Sequence, residues 1–515
     1  MDSDLTEKDK KIIFWASFLS LAAAGFGFSY RVMVLGAWGE EFGLTGQQIG
    51  NIFGASLWPI AITMILGSLV IDAIGHKVGL YGAFVLQFVS IILVSMAGSA
   101  EQLYWASFCA GLGHGLVEAV INPVCASIYP KDKTKMLAIL HAAWPAGLVG
   151  GGTLMLLPGL DSLHWKQSCY WMMIPVVAYG IMGLKTKFPV DERVAAKVPY
   201  RDMLKEVGFL GAFLASFLMF YELYRIITKS EPANLLWIAV GVGVLIGGAF
   251  GAYTRSLGKV LYFFLCVLMI PLATTELGTD AWIKELMTPT MGVYAGWAIV
   301  LSAFIMMILR FQAGLLTSRF SPPTILVISS FFSLAGLFVL SYTSGAMVII
   351  AFVLYAVGQT FYWPTVLGFA SEQYPRGGAL TLNTVSAIGL LSVGIIGTPI
   401  MGAFNDNHVT NNVKELDSAI YEEAKMDGTF FGATYGSIDR NKAKELAEAA
   451  DKADEYGAAL NQASRQSLRT TALAFPLVMF VCFGAIAMWF KSQGGYKPIE
   501  LSAASDGDGA EGSEA

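Results

Sequence analysis

The sequence predicts an all-α polytopic membrane protein: two pseudo-symmetric six-helix bundles plus an inserted two-helix hairpin. Three observations lead to this prediction. First, 55% of the 515 residues are hydrophobic and only 14% are charged, against roughly 25% charged residues in soluble domains. Second, apolar runs of about 20 residues, the length that crosses a bilayer, recur along the chain. Third, the segment 113–130 has a counterpart at 358–375, which indicates an internal duplication.

About fourteen apolar runs are expected to span the membrane, judged by length and composition. The first six cover residues 12–35, 50–71, 80–98, 103–128, 136–157 and 168–184. Eight more cover residues 207–227, 234–252, 259–278, 290–309, 323–342, 345–366, 378–403 and 468–490. An even number of spans places both termini on the same side of the membrane.

The distribution of cations predicts which side that is. Loops on the side of the termini carry many Lys and Arg residues, among them Lys77, Lys133, Arg255, Arg310 and Arg319. Cytoplasmic loops of membrane proteins carry such an excess. We therefore expect a cell (inner) membrane protein with both termini in the cytoplasm.

One long polar segment separates the last two predicted spans. Residues 405–471 are expected on the outer side, because long translocated segments are largely exempt from the charge rule. Their first part, with Gly and Asn, is predicted to be irregular loop, and their Ala/Glu/Lys-rich latter part a solvated helix.

A polar segment with two prolines marks the clearest boundary between the two halves. An alternative for the hairpin that follows is that its first half lies in the membrane interface. The predicted domains are an N-terminal bundle (1–185), a cytoplasmic linker (186–206), the hairpin (207–258), a C-terminal bundle (259–490) with an outer loop at 405–467, and an acidic cytoplasmic tail (491–515).

Several function classes are excluded or disfavoured. The five cysteines fall in apolar runs and form no CxxC pair, so neither disulfides nor a metal site is expected. The sequence has no GxxxxGK[ST] loop, no HExxH and no nucleophile elbow, which argues against an enzyme and against a bound cofactor. The net charge of −5 argues against a nucleic-acid partner.

The fourth predicted span carries the most informative polar residues. His114, Glu118 and Asn122 are spaced by four, so on a helix they share one face. A carboxylate in lipid costs roughly 2.5–3.5 kcal/mol, so such a face normally looks at protein or at a water-filled cavity. Glu118 either ties two helices together or carries a proton. Asn122 either binds a solute or fills the hydrogen-bonding gap that Pro123 leaves.

The internal repeat pairs this face with a second one. GHGLVEAVINPVCASIYP (113–130) aligns with GQTFYWPTVLGFASEQYP (358–375), so His114 meets Gln359 and Glu118 meets Trp363. A charged turn and a Gly-rich helix follow both copies. The copies are about 245 residues apart, as a duplication of six helices would give, and parallel repeats of this kind form the two halves of one transporter class.

The chain resembles the major facilitator superfamily over nearly its whole length. GSLVIDAIGHK (67–77) is similar to that family's loop between helices two and three. The resemblance implies a carrier that alternates between outward- and inward-open states. It also implies a gating loop formed by Gly67, Asp72, Gly75 and Lys77.

The segment EAVINP (118–123) resembles the E-x-x-x-N-P signature of the fucose–proton symporter group, and TTELGTDAWI (274–283) resembles that group's seventh helix. This resemblance implies that Glu118 couples transport to protons and that the solute is a sugar. The first span departs from the group, since its only charge is Arg31 and no acid is present. The fifth span departs too, with His141 and Trp144 where Gln and Asn are usual.

Other intramembrane residues are candidates for solute binding. His114 and His141 are proton relays, hydrogen-bond partners or structural histidines. Arg31 binds an anion or extends to the membrane interface. Aromatic faces such as Trp363 stack on sugars but more often simply pack. The predicted substrate-binding residues are Arg31, His114, Asn122, His141, Glu276, Gln359, Tyr362, Trp363 and Asn383.

The sequence therefore predicts a secondary active transporter that moves a small polar solute, expected to be a sugar, together with protons. Sodium is the alternative coupling ion, and a monomer in the lipid bilayer is expected. Two alternatives remain. One is a carrier of an organic anion held by Arg31 and the histidines. The other is a transport-dead membrane sensor of the same fold that uses segment 405–471 for docking.

Overall fold

A computed structural model describes residues 5–44, 46–157, 163–184, 186–279, 297–343, 347–430 and 433–501. The start of the predicted span 290–309 and the tail 502–515 lie outside these residues. Helices of the first half are α1 (Glu7–Phe42), α2 (Gly46–Gly54), α3 (Trp58–Ile74), α4 (His76–Met96), α5 (Ala100–Ile128), α6 (Lys133–Leu140), α7 (Ala143–Leu156), α8 (Trp165–Ser168) and α9 (Met173–Leu184).

The second half begins after a short helix in the linker. Two π-helical turns, Thr274–Gly278 and Val393–Gly397, interrupt the regular helices here. The elements are α10 (Glu192–Ala195), α11 (Tyr200–Thr228), α12 (Leu235–Thr254), α13 (Val260–Ala273), α14 (Trp297–Phe311), α15 (Gly314–Thr317), α16 (Pro322–Leu340), α17 (Met347–Gln359), α18 (Tyr362–Gln373), α19 (Gly378–Ser392), α20 (Thr398–Leu416), α21 (Ser418–Ala424), β1 (Lys425–Phe430), β2 (Ala433–Ile438), α22 (Arg440–Ala449), α23 (Ala453–Ala474) and α24 (Pro476–Ser492).

Within the described residues, 12 helical stretches are long and apolar enough to cross a membrane. The shorter apolar helices α9 and α14 occupy two further predicted spans, so the order matches the expected total of about fourteen spans. The protein is a multi-pass helical membrane protein, as predicted. Its hydrophobic core runs between the helices of both halves.

Helix α1 is longer than the predicted span 12–35. A capping box starts it, because Thr6 Oγ1 accepts a hydrogen bond from the Asp9 amide and Asp9 accepts one from the Thr6 amide. Gly43 ends the helix in the left-handed conformation at φ 60°. Arg31 therefore lies about three turns inside the helix instead of near its end.

The inserted hairpin consists of α11 and α12, which pack along each other. Helix α11 begins at Tyr200, so the irregular part of the linker is shorter than the predicted 186–206. The helix kinks at Gly208, whose φ of 53° suits glycine and whose backbone lies against Gly258. Because α11 also contacts α13 and α19, the hairpin lies against the second half.

The predicted outer loop 405–467 is a folded unit, which we call the loop domain. The prediction of irregular structure in its first part is wrong: α20 runs on to Leu416, and β1 pairs with β2 in an antiparallel hairpin, the one described exception to the all-α prediction. Asp417 and Asp439 cap the helices that follow them, which sets the chain's path locally. Its own small core includes Val409, Val413, Ile420, Ala443 and Ala447.

Candidate functional site

The polar face of the fourth span forms a hydrogen-bonded cluster, which we call the α5 cluster: His114, Glu118, Asn122 and His141. Asn122 Nδ2 donates to Glu118 Oε2 at 2.8 Å. His141 Nε2 lies 2.9 Å from Asn122 Oδ1, and His114 Nε2 lies 3.8 Å from Glu118 Oε1. Glu118, Asn122 and His141 are each under 9% exposed as whole residues, and the His114 side chain is 13% exposed. Residues predicted from spacing on one helix thus meet the histidine of the next span.

The gap that Pro123 leaves is filled from the other half of the molecule. Proline lacks the N–H that would bond the carbonyl four residues earlier, here that of Ala119. Asn383 Nδ2 donates to the Ala119 carbonyl at 3.2 Å, whereas Asn122 Nδ2 donates to the Glu118 carbonyl at 3.1 Å. The freed carbonyl therefore becomes a contact between α5 and α19.

Arg310 is buried, although the sequence predicts that it lies in a cytoplasmic loop. Its side chain is 1% exposed. The loop assignment is wrong because Arg310 lies in the last turn of α14, which ends at Phe311 before a turn at 312–313 and the short α15. Arg310 Nη2 donates to Glu276 Oε1 at 2.8 Å, a buried ion pair within the second half.

The remaining nitrogens of Arg310 bond two further carbonyls that prolines have freed. Nη1 donates to the His141 carbonyl at 2.9 Å, and Nε donates to the Thr360 carbonyl at 2.7 Å. Pro145 and Pro364 stand four residues after these carbonyls, so no helical N–H is available to them. One guanidinium thereby satisfies a helix break in each half, which matters where no bulk water reaches the backbone.

Arg31 lies in a cavity inside the first half. The side chain is 5% exposed, and Nη1 donates to the Gly27 carbonyl at 2.8 Å. Among the described residues, Nε has no hydrogen-bond partner and no carboxylate pairs with the guanidinium. The cavity of about 450 Å³ is lined by Ala23, Ala24, Gly27, Phe28, Arg31, Ser56, Leu57, Gln87, Ser90, Ile91, Ala110, His114, Met172 and Val176.

This placement argues against one of the two expectations for Arg31. Extension to the membrane interface does not occur, because α1 continues well past the residue and other helices of the first half surround it. His114 lines the same cavity and stacks on Trp144 at a ring separation of 5.2 Å. Since His114 also faces Glu118, the cavity and the α5 cluster adjoin.

The predicted residues of the second copy of the repeat lie within the second half. Gln359 Nε2 donates to Ser302 Oγ at 3.0 Å. Trp363 packs its ring against Gly389 of α19, where an added Cβ would lie 3.1 Å from Trp363 Cη2. Tyr362 is fully buried in the core. Within the described residues, none of the three lines the Arg31 cavity.

The predicted gating loop makes contacts within the first half. Gly75 adopts φ 85° between α3 and α4, and Gly67 packs closely on Ala119. Lys77 Nζ donates to the carbonyls of Leu184 and Thr186 at 3.0 and 3.2 Å, at the end of α9. The side chain of Asp72 lies outside the described residues.

Contacts between the halves at this end come from α6 and α18 instead. We call them the gate contacts: Lys133 Nζ donates to the Ser371 carbonyl at 3.3 Å, and the Thr134 hydroxyl donates to Glu372 Oε1. Lys133 also pairs with Glu192 of the linker at 2.6 Å. The two halves are thus joined at one end by hydrogen bonds that the sequence did not single out.

Comparison with known proteins identifies the family. Residues 17–392 match the family model described as Major Facilitator Superfamily, which is well over half of the chain. The chain belongs to the major facilitator superfamily. It is accordingly a transporter protein and not an enzyme.

Solved structures of this superfamily share the fold. The proton:xylose symporter XylE aligns over 93% of this chain and 96% of its own, with a TM-score of 0.60 and 13% identity. The major facilitator transporter FucP in its outward conformation aligns over 91% and 98%, with a TM-score of 0.56 and 15% identity. At such identities the likeness concerns the fold alone.

One curated relative is similar over a short stretch. A probable sulfoacetate transporter, SauU, from Cupriavidus necator is 37% identical over 76 residues. The match spans 15% of this chain and 18% of that protein, so it leaves most of both chains uncompared.

Proposed function

We propose that this major facilitator protein is a secondary carrier of a small organic anion, coupled to protons through Glu118. The observation that supports the anion is Arg31: a buried guanidinium, without an acidic partner among the described residues, on the wall of a cavity. Leaving a buried charge uncompensated costs several kcal/mol. Intramembrane charges that proteins nevertheless keep usually mark solute or ion pathways.

Among the described residues, the charges of the second half do not offer an equivalent site. Arg310 is neutralised by Glu276 and bonded to two carbonyls, so an anion gains little there. In the first half, Arg31 and His114 share one cavity. The short similarity to a probable sulfoacetate transporter is consistent with an anionic solute.

Proton coupling is supported by the α5 cluster. Glu118 is buried, accepts a hydrogen bond from Asn122 and faces His114, which lines the cavity. Protonation of Glu118 would remove a charge from the membrane interior and lower the barrier to moving between states. Protonation of Glu118 and binding of the anion near Arg31 would then both change the net charge inside the first bundle, at adjoining sites.

A sugar is the second candidate solute, and hydrogen-bonding groups in the core favour it. Asn122, His141 and Asn383 supply amide and imidazole groups of the kind that bind hydroxyls. The aromatic residues expected to stack on a sugar are less favourable, since Trp363 packs against Gly389. We therefore rank the anion first.

The remaining features of the proposal follow from the sequence. The cation-rich loops support a cell membrane location with both termini in the cytoplasm, even without Arg310 in the count. The gate contacts would then close the cytoplasmic end between the two bundles. The carrier is proposed to work as a monomer.

Uptake into proteoliposomes tests the proposal. A panel of radiolabelled small carboxylates, sulfonates and sugars would be offered under an imposed pH gradient and, separately, a sodium gradient. We expect anion uptake driven by the pH gradient, its loss in Arg31→Ala and its partial retention in Arg31→Lys. Arg319→Ala removes an exposed arginine and serves as the matched control. Anion uptake that survives in Arg31→Ala, or uptake of sugars alone, would refute the anion proposal.

A further inference from the structure

A glutamine of the same cavity has an unusual hydrogen-bonding state. Gln87 lies on α4, is 6% exposed and lines the cavity with Arg31. Its Oε1 accepts a hydrogen bond from the Tyr179 hydroxyl at 2.9 Å. Its Nε2 is buried and, within the described part of the chain, has no acceptor. A buried amide that lacks a partner destabilises a protein, so the structure maintains an unfavourable donor here.

The hydrogen bond from Tyr179 fixes the direction in which this donor points. Because the amide oxygen is held by the phenol on α9, the amide nitrogen is the end left for the cavity. Tyr179 is itself fully buried and packs edge-on against Phe84 at a ring separation of 6.0 Å. The phenol therefore has little freedom to release the amide.

The cavity thus holds two unpaired donors and few free acceptors. Arg31 Nε and Gln87 Nε2 both lack acceptors among the described residues. The hydroxyls of Ser56 and Ser90 already donate to the carbonyls of Phe53 and Gln87. An oxyanion, which only accepts hydrogen bonds, is the group that satisfies such a set. A cation or an N–H group would not.

The rest of the lining is apolar. It includes Ile91, Met172 and Val176 and small residues of α1 such as Ala23. The empty space of about 450 Å³ includes open solvent, so it limits the size of a ligand from above. The site is therefore suited to a short aliphatic chain attached to one carboxylate or sulfonate group.

We propose that Gln87, oriented by Tyr179, is a specificity-determining residue that binds the oxyanion head of the solute together with Arg31, and that the solute is a short-chain aliphatic carboxylate or sulfonate. The inference rests on the proposed function. It adds a neutral donor to the charge of Arg31, and it names Tyr179 as the positioning residue.

Binding to the purified full-length protein in nanodiscs tests the inference, with probes that share one carbon chain. Butyrate and butanesulfonate carry oxyanion heads, butyramide is the neutral analogue and butylamine the cationic one. Comparing the two anions separates carboxylate from sulfonate solutes. Isothermal titration and thermal shift report affinity without requiring transport.

The wild type is expected to bind one or both anions and neither other probe. Gln87→Leu should weaken anion binding roughly tenfold or more, the usual loss when a hydrogen bond to a charged group is removed. Tyr179→Phe should weaken it less, but should raise binding of butyramide relative to the anions, because a released amide can turn its oxygen into the cavity. A purely structural role for Tyr179 would not change that ratio.

Controls keep the outcomes distinct. Gln462→Leu and Tyr170→Phe change exposed residues and should leave binding unaltered. Gln87→Leu alone leaves the buried Tyr179 hydroxyl without its hydrogen-bond partner and could therefore fold poorly. The double variant Gln87→Leu/Tyr179→Phe removes both partners and tests binding without this defect. Anion binding that is abolished by Arg31→Ala but unchanged in Gln87→Leu and the double variant would overturn this inference and leave the proposed function standing. Absence of anion binding by the wild type would overturn both.

Discussion

Arg310 Nη1 donates to the carbonyl oxygen of His141 at 2.9 Å and so joins the second half of the molecule to the first. The same guanidinium pairs with Glu276, and the His141 side chain bonds Asn122 of the α5 cluster. A continuous polar connection therefore runs from Glu118 to Glu276. Movement of the two halves relative to each other must break or shift this connection.

Replacement of Arg310 is expected to be more damaging than replacement of its acidic partner. Arg310→Met leaves the Glu276 carboxylate buried and unpaired and also strips two carbonyls of their donor, so we expect a loss of about 3–5 kcal/mol in the free energy of unfolding. Glu276→Gln leaves the arginine bonded to both carbonyls and should cost less. Chemical denaturation in detergent measures both, and the exposed Arg319→Met is the control. Equal losses would show that the carbonyl contacts contribute little.

The sequence predicted the α5 cluster well for a physical reason. A spacing of four on an apolar helix puts side chains on one face, and a carboxylate there has to meet protein. Glu118, Asn122 and His114 therefore belonged together before any fold was known. That His141 joins this cluster could be predicted only with knowledge of how the fifth span packs against the fourth.

Other features could not be predicted in the same way. Arg310 is followed closely by Gln312 and Gly314, so its neighbourhood is typical of a loop, and only the structure shows that it belongs to α14 and is buried. Gln87 is one polar residue in an apolar run, and its importance depends on Tyr179, 92 residues away. A signal did exist for the proline-freed carbonyls: each proline inside a span implies a carbonyl that needs a donor.

Neutralisation of Glu118 should separate solute movement from the proton gradient. Glu118→Gln keeps an oxygen that accepts from Asn122 but cannot change charge, so we expect exchange of solute across the membrane to continue while pH-driven accumulation falls to the equilibrium level. Counterflow and gradient-driven uptake in proteoliposomes measure the two activities. Glu101→Gln changes an exposed acid on the same helix and should behave as wild type. Accumulation by Glu118→Gln would place the coupling residue elsewhere.

The gate contacts depend on a residue beyond the last helix. Tyr496 donates to Glu372 Oε2 at 2.9 Å, while Glu372 Oε1 accepts from Thr134. Burial and the nearby Glu372 raise the pKa of Tyr496 far above its usual value, so the phenol remains a donor at every working pH. Tyr496 thus holds one oxygen of the carboxylate that bonds the other half.

Loss of this phenol should loosen the gate contacts moderately. Tyr496→Phe removes one hydrogen bond, worth about 0.5–1.5 kcal/mol, and Thr134→Val removes the hydroxyl bond between the halves while the Thr134 amide still donates to Glu372 at 3.3 Å. We expect faster deuterium exchange of the amides of α6 in both variants, with the larger effect in Thr134→Val. Tyr253→Phe, at an exposed position, is the control. Unchanged exchange in Thr134→Val would mean that the Thr134 hydroxyl does not help to close this end.

The loop domain should weaken on acidification. The hydrogen bond from Lys452 and those from the amides of Ala419 and Ile420 lower the pKa of Asp417. A lowered pKa stabilises the folded form above the unfolded value of about 3.9, and this stabilisation is lost as the pH falls through the lower, folded value. Resistance of residues 417–452 to acid-active protease should therefore decline below about pH 4. Asp417→Asn should be less resistant at neutral pH and should show a flatter acid decline, and an unaltered decline would exclude Asp417 as its source.

Arg31 offers a way to distinguish a binding residue from a structural one. Removing an arginine that supports the fold destabilises the protein. Removing an uncompensated buried charge stabilises it. Arg31→Met keeps most of the side-chain volume, so we expect the unliganded protein to gain roughly 1–4 kcal/mol, the range seen when buried ion pairs are replaced by apolar groups of similar volume. The same variant should lose all stabilisation by added anion, because ligand that no longer binds the native state cannot shift its stability. Thermal unfolding with and without butyrate or butanesulfonate measures both effects. A variant that melts lower than wild type and is still stabilised by the anion would show that Arg31 supports the fold and not the solute.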